Sequence, residues 1–221
     1  DWLLGLRDAT PQQQLQRLFD LPRQGNDVVL TIDSRLQQAA YQGLKGKQGA
    51  AVAIEPQTGR ILAMVSQPSF DPNTLEQKWE EILQTPGSPL ANHALLRFPP
   101  GSIMKVVTTG ALLRAGIDPT ELYECTGSTI IHGQEIIDHK AHGWVNLDMA
   151  IADSCNTYFA TYGVQVGDKL FLEIAKAFGF GQEIPLEIPT RRSALTSDQA
   201  LPDHLGTNLL AESAFGQGKV L

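Results

Sequence analysis

The stretch Gly49-Ala50-Ala51-Val52-Ala53-Ile54, followed by Glu55-Pro56-Gln57-Thr58-Gly59-Arg60 and then Ile61-Leu62-Ala63-Met64-Val65-Ser66, constrains the fold of this chain more than any other. Two apolar runs of strand length, joined by residues that break regular structure, predict a β-hairpin. Neither run alternates with polar side chains, so burial on both faces is expected, with helices on either side of a sheet. The expected fold class is α/β, an α+β sandwich whose mainly antiparallel sheet is flanked by helices on both faces.

Other segments fit that frame. Val28-Val29-Leu30-Thr31-Ile32 reads as a short strand, and Asp33 or Ser34 can cap a helix with Leu36, Ala39, Ala40 and Leu44 on one side, ended by Gly43 and Gly46. Six prolines between Pro68 and Pro100 predict an irregular connection with a short helix near Leu75 to Leu83. A helix from about Ser102 to Ala115 should stop at Gly116, and residues 120–143 read as strands and loops. Helices are expected over Asn146 to Ala152, Tyr158 to Val166 and Leu170 to Phe178, then loop over 182–205. Residues 1–27 read as a linker or the end of a preceding domain, and 28–221 as one domain.

Charge narrows the function. With 17 basic and 24 acidic residues the chain has a net charge of -7, which lacks the basic excess that nucleic acid or an anionic membrane surface selects. The two cysteines, Cys125 and Cys155, are too few for a disulfide scaffold and have no zinc-type pairing in sequence, although one bridge between them stays open. No run of apolar residues is long enough to span a bilayer.

Chemistry enters at Ser102-Ile103-Met104-Lys105, directly behind Phe98-Pro99-Pro100-Gly101. A hydroxyl and an amine three residues apart at a helix start share one face, so a neutral Lys105 can take the proton of Ser102. Gly101 allows the tight backbone that begins the helix at Ser102, inside the positive field of the helix start. Alone, the same spacing also fits a capping serine followed by a solvated lysine. Ser154-Cys155-Asn156 adds a second polar group. In an extended stretch Ser154 and Asn156 would point together, with Cys155 directed inward. Ser154 could then relay a proton and Asn156 could hold a substrate amide and the lysine, while helix capping by Ser154 is the plainer alternative.

These motifs together resemble the transpeptidase domain of penicillin-binding proteins, serine acyltransferases that cross-link peptidoglycan; Ser-x-x-Lys with Ser-x-Asn is the signature shared with the serine β-lactamases. The resemblance extends to Leu30 through Ala40, to Ala51 through Met64, and to Phe215-Gly216-Gln217-Gly218, which is similar to the family's Gly-Gln-Gly turn. Pro99-Pro100-Gly101-Ser102 is similar to the monofunctional, class B members. The family's third motif, Lys-Thr/Ser-Gly, is not found before Leu221, since Lys219-Val220-Leu221 does not match it. The resemblance therefore implies a domain that continues past this sequence, and impaired activity for this piece alone.

The resemblance further implies a D,D-transpeptidase in which Ser102, Lys105, Ser154 and Asn156 are catalytic and Ser102 and Asn156 also bind substrate. Its partners would be D-Ala-D-Ala stem peptides, β-lactam antibiotics and cell-wall synthesis proteins in the membrane. It would need no cofactor or metal, and it would act outside the cytoplasm on a parent anchored by an N-terminal transmembrane helix. The competing readings are a β-lactam sensor, a carboxypeptidase or β-lactamase of the same fold, and a division scaffold with a degenerate site. His139 and His142 are spaced for shared metal ligation but have no third ligand nearby in sequence, so a rim loop is expected there. His93 and His204 read as surface or structural residues, Trp144, Tyr158 and Phe159 as core or rim, and Ser128 and Ser213 as serines without a base.

Overall fold

A computed structural model describes residues 27–196 and 201–220. Residue contacts divide the chain into two compact units, separated between Ala94 and Leu95. Apart from Asp27, the expected linker lies outside the described residues.

In the first unit, the hairpin forms as its composition predicts. Strand β1 (Gly49–Ile54) pairs antiparallel with β2 (Ile61–Gln67), with Gly49 opposite Gln67 and an irregularity at Ala53/Ile54. Helix α1 (Ser34–Leu44) packs against the pair and is capped by Asp33, whose side chain accepts hydrogen bonds from the backbone N–H groups of Arg35 and Leu36. Val28 to Ile32 form no strand. They have no regular structure, and at their end the chain meets β2, where the Thr31 hydroxyl donates to Ile61 O (2.5 Å) and Asp33 N–H to Leu62 O (2.9 Å). The Gln37 amide completes this edge by donating to Met64 O and accepting from Met64 N–H, both at 2.8 Å. One side chain thus satisfies backbone groups that a further strand would otherwise claim. Burial of β1 differs from expectation: Val52 and Ile54 are 43% and 56% exposed, while β2 buries Ala63, Val65 and Gln67. Apolar composition here marks one covered face, not two.

A short helix, α2 (Trp79–Gln84), occupies the proline-rich connection. It lies later than the sequence indicated, because Pro72 opens a separate 3-10 turn over Pro72–Thr74 instead.

The second unit is built around two buried helices. Helix α3 (Met104–Arg114) follows a 3-10 turn at Gly101–Ile103 and buries Met104, Lys105, Val107, Thr108, Ala111 and Leu112. Four short strands come next in two antiparallel pairs: β3 (Tyr123–Cys125) pairs with β6 (Gly143–Val145), and β4 (Ser128–Ile131) with β5 (Gln134–Ile137). Helix α4 (Leu147–Ala152) is capped by Asn146, α5 (Asn156–Val166) begins after Cys155, and α6 (Asp168–Ala177) and α7 (Thr207–Ser213) complete the unit. One core cluster joins α5 to β3, β5 and β6 through Tyr158, Phe159, Cys125, Ile136 and Val145. A second joins α3 to α6 and α7 through Met104, Val107, Phe171, Leu210 and Ala214. The buried Thr108 hydroxyl donates to Ala214 O at 2.7 Å, so that hydroxyl is satisfied within the core.

Candidate active site

Ser102 lies in the 3-10 turn that starts α3, exposed to solvent, and the next turn of the helix buries Lys105 to 2% exposure. The turn is held from outside the helix. Gly101 N–H donates to Gly216 O at 3.1 Å, and a Cβ at Gly216 would stand 1.9 Å from Gly101 O. Gly216 has φ +79 as well, so both its backbone and its surroundings demand glycine. The Gly-Gln-Gly turn noted in the sequence is therefore the backing of the Ser102 turn.

The structure brings Ser102, Lys105, Ser154 and Asn156 together. The Lys105 amine lies 2.8 Å from Asn156 Oδ1, 2.9 Å from Ser154 Oγ, 2.6 Å from Ser154 O and 3.4 Å from Ser102 Oγ. Ser154 Oγ is 2.8 Å from Ser102 Oγ. The shortest proton route between alcohol and amine thus passes through Ser154, in two steps shorter than the direct approach. Asn156 is oriented by its other end, where Nδ2 donates to Ile137 O at 3.2 Å, leaving Oδ1 to accept from Lys105.

The local geometry differs from the extended stretch expected at Ser154-Cys155-Asn156. Ser154 has φ +57 and Asn156 is the first residue of α5. A left-handed residue followed by a helix start places the two polar side chains beside Lys105 and sends Cys155 into the core, as strand alternation would have done. The strain of a non-glycine residue in this region is about 1–3 kcal/mol, and the surrounding bonds hold it.

Burial is the largest influence on Lys105. It disfavours the ammonium and lowers the pKa from the usual lysine value, while the charges of Asp138 and Cys155 oppose that shift. The Phe159 ring, 5.7 Å from the amine, is part of the apolar wall. Asp138, which the sequence reading passed over, organises the other side. Its Oδ1 accepts from Asn156 N–H at 2.5 Å and Oδ2 from Thr157 N–H at 2.9 Å, capping α5 from a distant loop. Burial raises the pKa of this carboxyl, but the Asn156, Thr157 and Cys155 hydrogen bonds outweigh burial and hold it below the ordinary value. No local motif marks Asp138; only the closing of β5 onto the start of α5 does.

Cys125 and Cys155 are both free and buried. His139 and His142 stack edge-on, ring centroids 4.9 Å apart, and His142 Nδ1 turns to Cys125 Sγ at 3.2 Å. His139 is exposed, in keeping with the expected rim loop, whereas His142 is half-buried beside Cys125. His93 is buried with Nε2 2.8 Å from Gly87 O, and His204 is exposed beside Asp168. Trp144 is 58% exposed, whereas Tyr158 and Phe159 are core. Ser213 is buried, and its hydroxyl meets no partner among the described residues.

Residues 49–221 match the family model of the penicillin binding protein transpeptidase domain. The chain belongs to that family. It is 40% identical over 179 residues to the peptidoglycan D,D-transpeptidase PbpA of Mycobacterium tuberculosis, covering 72% of this chain and 36% of the relative. To the peptidoglycan D,D-transpeptidase MrdA of Acinetobacter baumannii it is 36% identical over 185 residues, 79% of this chain and 28% of the relative. The chain therefore spans only about a third of the length of these relatives. Among solved structures, the ceftriaxone acyl-enzyme complex of penicillin-binding protein A from M. tuberculosis superposes with a TM-score of 0.81 at 31% identity, covering 95% of this chain and 51% of that one. PBP2 of Pseudomonas aeruginosa, in complex with WCK 5153, gives 0.74 at 32% identity, covering 90% and 49%. These likenesses agree with the α/β class expected from the sequence.

Proposed function

We propose that this chain is part of a peptidoglycan D,D-transpeptidase in which Ser102 is the nucleophile, Lys105 the base, Ser154 the proton relay, and Asn156 the group that orients both the lysine and the substrate amide. The observation that carries the reading is the Ser102–Ser154–Lys105 chain of 2.8 and 2.9 Å steps beside Asn156. The names of the relatives and the acyl-enzyme complex of the mycobacterial protein support it.

Neutral Lys105 draws a proton from Ser154 as Ser154 draws one from Ser102, and Ser102 Oγ bonds to the carbonyl of a D-Ala-D-Ala stem peptide. The tetrahedral adduct collapses as the proton returns through Ser154 to the departing D-Ala nitrogen, leaving an ester on Ser102. An acceptor amine of a neighbouring strand then attacks the ester, loses its proton to the same relay, and frees Ser102. β-Lactams enter by the first step and stay, because their leaving group remains tethered to the acyl chain. On this reading the protein works outside the cytoplasm on a membrane-anchored parent, among the membrane proteins of cell-wall synthesis.

The test is turnover by the complete protein given a D-Ala-D-Ala stem peptide and an acceptor amine. Release of D-Ala with formation of the new amide supports a transpeptidase. Release of D-Ala with free acid alone assigns a carboxypeptidase, and rapid hydrolysis of penicillin assigns a β-lactamase; either contradicts the proposal.

A further inference from the structure

The two halves of the site are held by separate parts of the second unit, and one side-chain contact joins those parts. On the nucleophile side, Gly216 O accepts from Gly101 N–H at 3.1 Å, and the Gly216 turn folds back on the end of α7, where Gln217 N–H donates to Glu212 O at 3.0 Å. On the other side, Asn156 Nδ2 donates at 3.2 Å to the carbonyl of Ile137, the last residue of β5. Gln134, the first residue of β5, reaches between them: its Nε2 donates to Glu212 Oε1 at 2.6 Å. Among the described residues this is the one hydrogen bond that joins the β4–β5 hairpin to α7 and the turn after it.

From this junction we propose that Glu212 and Gln134 are positioning residues, whose bond locks the turn behind Ser102 to the strand that orients Asn156. The inference rests on the proposed function and deepens it, since neither side chain touches the reacting atoms.

The contact is more than a surface pair. Both side chains are half-buried, and a hydrogen bond to a carboxylate gains strength where water is partly excluded. Ile136, Ala211 and Phe215 share one core cluster, which draws the hairpin and α7 together. Such apolar packing is non-directional, whereas the Gln134–Glu212 bond fixes how the two elements are aligned. The second carboxylate oxygen lies under the turn itself. A Cβ at Gly218 would stand 2.5 Å from Glu212 Oε2, and Gly218 has φ +73, so glycine leaves room for the carboxylate there. Glu212 thus holds the turn through its backbone carbonyl and the hairpin through its side chain. Ser102 is placed by one of these parts and Asn156 by the other, while the relay between Ser102 and Lys105 runs over steps of 2.8 and 2.9 Å. A misplacement of about 1 Å between them is enough to cost about 10²-fold in rate.

Glutamine and glutamate have nearly the same shape, so the bond can be broken and then rebuilt in reverse. In the complete protein, Gln134→Glu sets a second carboxylate against Glu212 and should lower the limiting rate of labelled-penicillin acylation by about 10–100-fold. Glu212→Ala should do the same. Glu212→Gln alone keeps an oxygen acceptor and should stay near the wild-type rate. The double variant Gln134→Glu with Glu212→Gln lets the amide donate from the opposite side and should recover the rate to within about 2-fold. Rates are compared where melting curves show every variant folded, so that lost stability does not account for them. Amide hydrogen exchange, read on the peptides containing Gly101 and Asn156, should rise in both peptides with Gln134→Glu and fall back in the double variant. A wild-type acylation rate in Gln134→Glu would overturn the positioning role, unchanged exchange would overturn the link itself, and a double variant no better than the single one would overturn both. The exchange readout stands whether or not the protein is acylated: a wild type that penicillin never labels would contradict the proposed function, while exchange still decides whether Glu212 and Gln134 join the two halves.

Discussion

At the scale of single residues, the account depends on Lys105 lacking its extra proton. An ammonium has no lone pair, so acid removes the base; because burial lowers the Lys105 pKa from 10.5, the acid limb of acylation should lie below the ordinary lysine range. The same shift affects stability. Between the folded value and 10.5 the unfolded chain holds the proton more tightly, so the cost of burying Lys105 is full at lower pH and fades as pH rises through that window. Stopped-flow acylation across pH measures the limb, and a midpoint at the ordinary lysine value would contradict the assignment. Ser154 allows a separate prediction, because its hydroxyl and its φ of +57 can be varied apart. Ser154→Ala and Ser154→Gly should both lose about 10²–10⁴ in acylation rate, but the glycine variant should be about 1 kcal/mol more stable in denaturant melts. Equal stability would remove the strain from the account. The sequence motifs disclosed Ser102, Lys105, Ser154 and Asn156, since their spacing is local. Asp138 was hidden because its partners lie in α5, beyond the reach of any periodicity.

Among elements, the hairpin and the helix caps were legible, and the routes between elements were not. Breaker residues marked the β1–β2 turn, and Asp33 capped α1 as its side chain allows. Val28 to Ile32 had strand composition, yet Gln37 took the β2 edge groups at Met64. Local propensity cannot show such competition for hydrogen bonds. The contact between the Gly216 turn and Gly101 is likewise non-local, and it gives a sharp test. Gly216→Ala places a Cβ 1.9 Å from Gly101 O at φ +79, for which about 2–5 kcal/mol of destabilisation is expected from backbone strain and overpacking together. The displaced Ser102 turn should lower acylation even well below the melting temperature. Wild-type melting and acylation would show that the turn does not support the nucleophile.

On the scale of the whole molecule, the fold class was readable because an apolar hairpin and several segments of helical spacing occur in one chain, but the division between Ala94 and Leu95 was not. Proline-rich composition there signals irregular backbone without showing where contacts thin. The four polar groups rest on the second unit's core, where Phe159 is fully buried and packs on Tyr158, ring centroids 5.4 Å apart. Phe159→Ala should cost about 3–5 kcal/mol in urea unfolding; a loss below about 1 kcal/mol would mean that this packing does not support the site. The most direct test of the central claim is covalent labelling of the complete protein with a tagged penicillin, followed by mass spectrometry of the peptides. The account predicts one adduct, on the Ser102 hydroxyl, abolished in Ser102→Ala and strongly slowed in Lys105→Arg; an adduct on another residue, or labelling that persists in Ser102→Ala, would contradict it.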